Sequence, residues 1–135
     1  MNLSSYRKIT SLNKDIVQCR ACPRLVEFRE AVARKKRKQF EAWDYWGKPV
    51  PGYGEPGASL LLTGLAPAAH GGNRTGRVFT GDKSADFLVR CLYDVGIANQ
   101  PNSDSLDDGL ELINAYMTPV LKCVPPEDKP KPDEL

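Results

Sequence analysis

Residues 59–95 read SLLLTGLAPAAHGGNRTGRVFTGDKSADFLVRCLYDV. The apolar run Ser59-Leu60-Leu61-Leu62-Thr63 predicts a short buried strand. Lys83 to Val95 predicts a helix. Between them Gly64 to Asp82 make a 19-residue loop with five glycines, two arginines, an aspartate and the only histidine of the chain. A loop this long inside a folded domain is usually functional. Strand, glycine-rich loop and helix in succession is the order by which open α/β sheets place ligands at the carboxyl ends of their strands.

Within the loop, GGNRTG lacks the Gly-Lys-Ser/Thr ending of a P-loop, and its glycines do not follow G-x-G-x-x-G. Its backbone amides and the side chains of Arg74 and Arg77 suit a phosphate. Phe79 beside glycines suits stacking on a planar ligand. Asp82 has two readings: a carboxylate that acts as base or stabilises a developing cation, or the N-cap of the helix that begins right after it. His70 reads as a structural hydrogen bonder or as a member of the site.

Working outward, residues 1–18 predict a short helix with Leu12, Ile16 and Val17 on one side. Cys19-Arg20-Ala21-Cys22-Pro23 follows, a Cys-x-x-Cys pair able to reach one metal or cluster. Pro23 suits the first turn of a helix over Arg24 to Trp43. The run Arg34-Lys35-Lys36-Arg37-Lys38 is either a solvated basic face or a phosphate contact. Tyr45 to Gly57 is rich in Pro and Gly, neither helix nor sheet interior; Tyr45, Trp46 and Tyr53 either wall the loop or cover a core edge. Residues 98–109 predict a polar loop, and Ala115 to Leu121 a second buried strand. Cys123 is a third candidate thiolate ligand beside Cys19 and Cys22. Cys91, mid-helix among apolar residues, predicts a small core hydrophobe. A helix is expected from Pro132.

The chain of 135 residues is 41% hydrophobic, enough for a core within one domain. Its net charge of +2 divides unevenly: residues 1–60 hold 12 Lys/Arg against 6 Asp/Glu, residues 61–135 hold 7 against 11. A basic first half suits a polyanion. No stretch has the length of a membrane span, and MNLSSYRKIT lacks the apolar core of a secretory signal. A reducing cytoplasm and free thiols are the expectation.

Taken together, CRACPRLVEFRE (19–30), YWGKPVPGYGEP (45–56), GLAPAAHGGNRTGRVFTGD (64–82), ANQP (98–101), DDGL (107–110) and KCVPP (122–126) resemble the iron–sulfur uracil-DNA glycosylases of the type 5 group. The resemblance runs from Cys19 onward. Type 4 relatives carry an acidic GEAPG version of the loop, where this chain has Gly64-Leu65-Ala66-Pro67-Ala68. The resemblance implies a three-layer α/β/α sandwich around a central parallel sheet. It implies hydrolysis of the N-glycosidic bond of uracil, or of another deaminated base, in duplex DNA, and a 4Fe-4S cluster near the DNA surface. A glycosylase must take its base out of the stack into a pocket. Phe79 then matches the stacking residue and Asp82 the carboxylate that assists water. Many superfamily members place an acid where this chain has Ala66. Ala66, Pro67, Ala68 and His70 match the pocket rim, with Gly64 and Asn114 counted among the substrate-binding residues. Arg74, Arg77, Lys36 and Arg37 would hold phosphates, and Cys19, Cys22 and Cys123 the cluster.

Two family features have no match in 1–135: a His-Pro-Ser stretch and the fourth cluster cysteine, and Cys91 matches neither. Glu127-Asp128 stands where relatives tend to have Asn. The expectation is therefore the N-terminal part of one glycosylase domain, monomeric and nucleoid-associated, with little activity as 135 residues alone. The alternative is a non-catalytic DNA-binding module that keeps a cluster or zinc on the same thiols.

Overall fold

A computed structural model describes residues 3–135. Two helices open the chain, α1 (Leu3–Val17) and α2 (Pro23–Lys35). Short strands β1 (Tyr53–Gly54) and β2 (Leu60–Gly64) follow, then a single helical turn α3 (Gly72–Thr75), helix α4 (Lys83–Asp94) and strand β3 (Ala115–Pro119). Residues 1 and 2 of the expected first helix lie outside the described residues.

The sheet has the order β1-β3-β2, antiparallel between β1 and β3 and parallel between β2 and β3. The parallel register sets Leu60 beside Ala115 and Gly64 beside Pro119. Both parallel strands therefore end together, and the 64–82 loop leaves from that shared carboxyl end. The crossover from β2 to β3 runs through α4, the usual way to join parallel neighbours. The second expected strand holds: in β3 Ala115, Met117 and Pro119 are buried while Tyr116 and Thr118 are half-buried.

The first expected strand forms, but it is not buried. β2 is a sheet edge, with Leu61 61% and Leu60 37% exposed. An apolar run gives the strand and says nothing about which layer reaches it.

The core lies between β3, α4 and the loop segments that frame them. Val50, Val78, Val89, Leu92, Ala98, Leu110, Leu112, Ala115 and Met117 form one cluster, with Trp46, Tyr53 and Phe79 packed against it. In α4 the buried stripe is Ala85, Val89 and Leu92, spaced by four and three residues. Cys91 falls off that stripe and is exposed, which corrects its reading as a core residue. Phe87, 75% exposed, shares the outward side.

The second expected helix stops at Lys35, short of Trp43. Lys36 turns left-handed at φ 57° and its Nζ donates to the Trp43 carbonyl oxygen at 2.5 Å. This reversal, followed by a 3-10 turn at Lys38–Phe40, brings Phe40 and Trp43 back toward the glycine-rich loop. The 98–109 loop is polar as expected, and the helix expected at Pro132 is a single 3-10 turn, Pro132–Glu134. Arg24 clamps that turn through both carboxylate oxygens of Glu134, at 2.6 and 2.7 Å. Among the described residues no helix is long and apolar enough to cross a membrane.

Candidate functional site

The loop folds back over the carboxyl ends of β2 and β3. Its glycines sit where side chains would collide. A Cβ on Gly64 would come within 2.8 Å of the Phe79 ring. A Cβ on Gly71 would strike Asp82 Oδ2, and one on Gly81, whose φ is +81°, would strike the Arg74 guanidinium. Only glycine accommodates these approaches without displacing the charged group.

Asp82 fills the capping role: its Oδ1 accepts from the Ala85 N–H at 2.9 Å. Its other oxygen faces Gly71, so capping and membership of the site are compatible. A cavity of about 690 Å³ opens here, lined by Arg37, Phe40, Trp43, His70, Arg74 and Asp82, with Ala68 and Gly71 on the same wall. His70 Nδ1 and Tyr45 Oη are 2.8 Å apart, and Tyr45 Oη also accepts from the Arg37 N–H. Either tautomer of His70 satisfies this contact, because the phenol oxygen keeps a second lone pair and its own hydrogen. Burial, then the cations Arg37 and Arg74, push the His70 pKa below its ordinary value. The shift favours the neutral imidazole.

The two loop arginines are not free for phosphate. Arg74 is 3% exposed. Its guanidinium lies over the Phe40 and Trp43 rings at 3.8 and 4.2 Å, donates from Nε to the His70 carbonyl oxygen at 2.6 Å, and reaches the Gly81 carbonyl oxygen at 2.8 Å. It braces the two ends of the loop. Arg77, 4% exposed, pairs with both Asp108 oxygens at 2.8 and 2.9 Å, and also donates to Thr80 and Ser103. Burial alone would raise the Asp108 carboxyl; the N–H groups of Leu110 and Asp104, with Arg77, hold it below the ordinary carboxylate range. Of the expected phosphate contacts, Lys36 is spent on the Trp43 carbonyl oxygen, and Arg37 remains exposed at the cavity.

Phe79, at φ 49°, lies under Gly64 and against the core, outside the lining of the large cavity. Gly64, Ala66 and Pro67 form the strand end and the start of the loop beside it, Pro67 being buried against Gly72. Asn114 is elsewhere. It precedes β3, with Oδ1 accepting from the Ser59 N–H and its own N–H bonded to Glu55. That is the amino end of the strands, about 16 Å of strand length from the loop.

The sequence reading missed Ser103, Asp108, Phe40, Trp43, Tyr45 as a His70 partner, and Asn73. Ser103 accepts or donates in four contacts that tie the 98–109 loop to Phe79, Thr80, Gly81 and Arg77. The sequence marks Asp108 only as one of two adjacent acids in the DDGL piece, with nothing to name its partner.

On the other side of α2, Cys19, Cys22 and Cys123 line one cavity of about 200 Å³, closed by Leu25, Pro49 and Glu134. Burial pushes the Cys123 thiol up, Cys19 and Cys22 add to this, and the Arg29 guanidinium opposes it. Among the described residues no group of three or more His, Cys, Asp or Glu stands in metal-holding geometry. The donor set nevertheless fits a thiolate-bound metal or cluster in type, and Cys91 lies outside this cavity.

The class defined by these features is an α/β domain whose strand-end loop, braced by buried arginines, builds a polar pocket beside a three-thiol cavity. The chain belongs to the Uracil DNA glycosylase superfamily, whose model matches residues 51–135. It is 49% identical over 120 residues to a type-5 uracil-DNA glycosylase of Pyrobaculum aerophilum, covering 89% of this chain and 52% of that protein. It is 51% identical over 120 residues to the type-5 enzyme of Thermus thermophilus, covering 89% and 54%. It is 51% identical over 126 residues to that of Mycobacterium tuberculosis, covering 93% and 47%. The chain spans about half the length of these curated relatives.

Proposed function

We propose that the whole protein is a base-excision repair glycosylase that hydrolyses the N-glycosidic bond of uracil in DNA. The observation that carries this reading is the 49–51% identity to three type-5 uracil-DNA glycosylases over about nine-tenths of the chain. The geometry supports it. Bond scission leaves an oxocarbenium-like sugar and an anionic base, so the site needs a carboxylate near the sugar and donors near the base. Asp82 and His70 line one cavity, at the carboxyl end of parallel strands. Phe79 lies beneath Gly64, at the strand end from which the loop sets out. Arg37 and the exposed cations at 34, 35 and 38 are the phosphate contacts of this reading.

The same reading places a 4Fe-4S cluster on Cys19, Cys22 and Cys123, within a three-layer α/β/α domain in the cytoplasm. A cluster there would supply a structural cross-link between the α1–α2 junction and the segment after β3.

The test is release of uracil from a duplex oligonucleotide carrying one dU, read as alkali-cleaved strand. Asp82→Asn keeps an N-cap of equal quality, so stability is held while the carboxylate is lost. A rate fall of about 100-fold or more is expected. Wild-type rates from Asp82→Asn would remove Asp82 from the mechanism, and no release by the wild type would sink the activity itself.

A further inference from the structure

A second cavity, of about 550 Å³, opens between α2 and the turn at residues 46–48. Its lining holds four cations, Arg20, Arg29, Arg34 and Lys48, against one acid, Glu30. Glu30 is already engaged, with Arg20 at 2.6 Å and with Arg29 at 3.4 Å. Arg34 and Lys48 are exposed and have no ion pair among the described residues. Lys48 Nζ stands over the Trp46 ring, 5.1 Å from its centre. The floor beneath these two cations is fastened. Arg29, 2% exposed, donates from NH1 to the Gly47 carbonyl oxygen at 2.7 Å. The Trp46 and Gly47 N–H groups donate to the Arg74 and Asn73 carbonyl oxygens at 3.0 and 2.9 Å, and Trp46 Nε1 donates to the Pro49 carbonyl oxygen at 3.0 Å. Cations held together on fixed elements repel, and an anion between them relieves the repulsion.

We propose that this cleft is a second phosphate site, in which Lys48 and Arg34 hold a backbone phosphodiester of the strand whose base enters the loop cavity. The inference rests on the glycosylase reading above and adds Lys48 to the cations which that reading uses. The two cavities are neighbours along the chain: Arg34 lines this one, and Arg37 lines the cavity of His70 and Asp82. The three residues from Arg34 to Arg37 span at most about 11 Å. Successive phosphates of one strand advance about 3.4 Å along the duplex axis. A strand that meets Arg37 therefore brings another phosphate, within about three nucleotides, to Arg34 and Lys48. The cleft meets that phosphate with charge and N–H donors and touches no base, so it is indifferent to sequence and fixes the register of the strand.

The experiment measures binding of the whole protein to duplexes that carry one 2′-fluorinated dU, which resists cleavage. A neutral methylphosphonate replaces one phosphate at a time, at successive positions on both sides of the dU. At one position near the dU, neutralisation should weaken wild-type binding about fivefold at physiological salt. Lys48→Ala should weaken binding to the fully charged duplex by the same factor, lower the salt slope by about one unit, and be indifferent to neutralisation at that position alone. Arg34→Ala should point to the same position, and Lys48→Arg should restore the wild-type pattern. Lys48 is exposed, so Lys48→Ala keeps the fold, which a thermal melt checks. Inorganic phosphate is titrated separately and followed at the Trp46 indole N–H signal. Saturable phosphate binding with no position coupled to Lys48 overturns the strand contact and makes the cleft a site for a free anion. No coupled position with an unchanged salt slope overturns the cleft altogether, and uracil release from an ordinary dU duplex by the same preparation leaves the glycosylase reading standing. A coupled position without uracil release sinks the glycosylase reading and keeps the cleft. A wild type that does not bind duplex overturns both.

Discussion

The Arg77–Asp108 pair sets a measurable asymmetry. Both side chains are nearly closed off, 5% and 8% exposed, and breaking a buried pair by removing one partner costs about 3–5 kcal/mol. The two ways of breaking it are unequal. Arg77→Met leaves the Asp108 carboxylate with N–H donors from Asp104 at 2.8 Å and Leu110 at 3.0 Å, so its cost lies near the lower end, about 3 kcal/mol. Asp108→Ala strands the Arg77 cation and those N–H groups together, near the upper end, about 5 kcal/mol. For a domain of this size 1 kcal/mol is worth roughly 3–4 °C, so the expected falls in Tm are about 10 °C and about 17 °C. Thermal unfolding followed by circular dichroism at pH 7 measures both. The pH dependence follows from the lowered Asp108 pKa. Its stabilisation is present above the unfolded carboxylate value, near 3.9, and is lost as pH falls through the lower folded value. The gap between wild type and Asp108→Asn is therefore flat from pH 7 to about 5 and closes in stronger acid. Losses under 1 kcal/mol in both variants, or a larger loss for Arg77→Met, would refute the assignment of this pair as the brace of the loop.

Three further outcomes are expected. Gly71→Ala places a methyl against Asp82 Oδ2, so it should lower uracil release far more than it lowers Tm, measured on the same preparation. His70 resists protonation when folded, so the unfolded chain binds more protons just below pH 6.5; stability should fall as pH drops through that window, and His70→Gln should flatten the slope in urea titrations at pH 5 to 7. Arg37→Ala should reduce the salt slope of binding to undamaged duplex by about one unit, while Arg77→Met should leave the slope of its folded fraction unchanged.

The sequence was most legible where chemistry is local. Pro23 marked the start of α2, Asp82 the start of α4, and alternation in 115–121 marked β3. It was least legible where the partner lies far along the chain. Nothing near Arg77 announces Asp108, and nothing near Arg74 announces Phe40 and Trp43, whose return to the loop depends on the reversal at Lys36. Cys91 shows the limit of reading burial from apolar neighbours: its helix buries the stripe through Val89 and Leu92, one side of Cys91 faces out, and Phe87 goes with it. The Leu60–Leu62 run likewise identified a strand correctly and its surroundings incorrectly, since burial of β2 depends on what lies across its free edge. Asn114 was placed at the site by resemblance and lies at the other end of its strand.

The two loop arginines also change how the electrostatics of the site should be understood. A glycine-rich loop is cheap to bend and costly to order, since glycine loses more backbone freedom than any other residue. On the proposed function the pocket must hold an extruded base and cannot be soft. Arg74 and Arg77 resolve this by spending their charge inward, on the carbonyl oxygens of His70 and Gly81 and on Asp108, so that five glycines hold one conformation. On the proposed function the attraction for a polyanion then falls to the cations beyond α2, on a segment that also supplies the aromatic rings under Arg74. On that reading, order in the loop and affinity for phosphate are carried by different arginines, which is why substitutions at Arg77 and Arg37 should separate cleanly into stability and salt dependence.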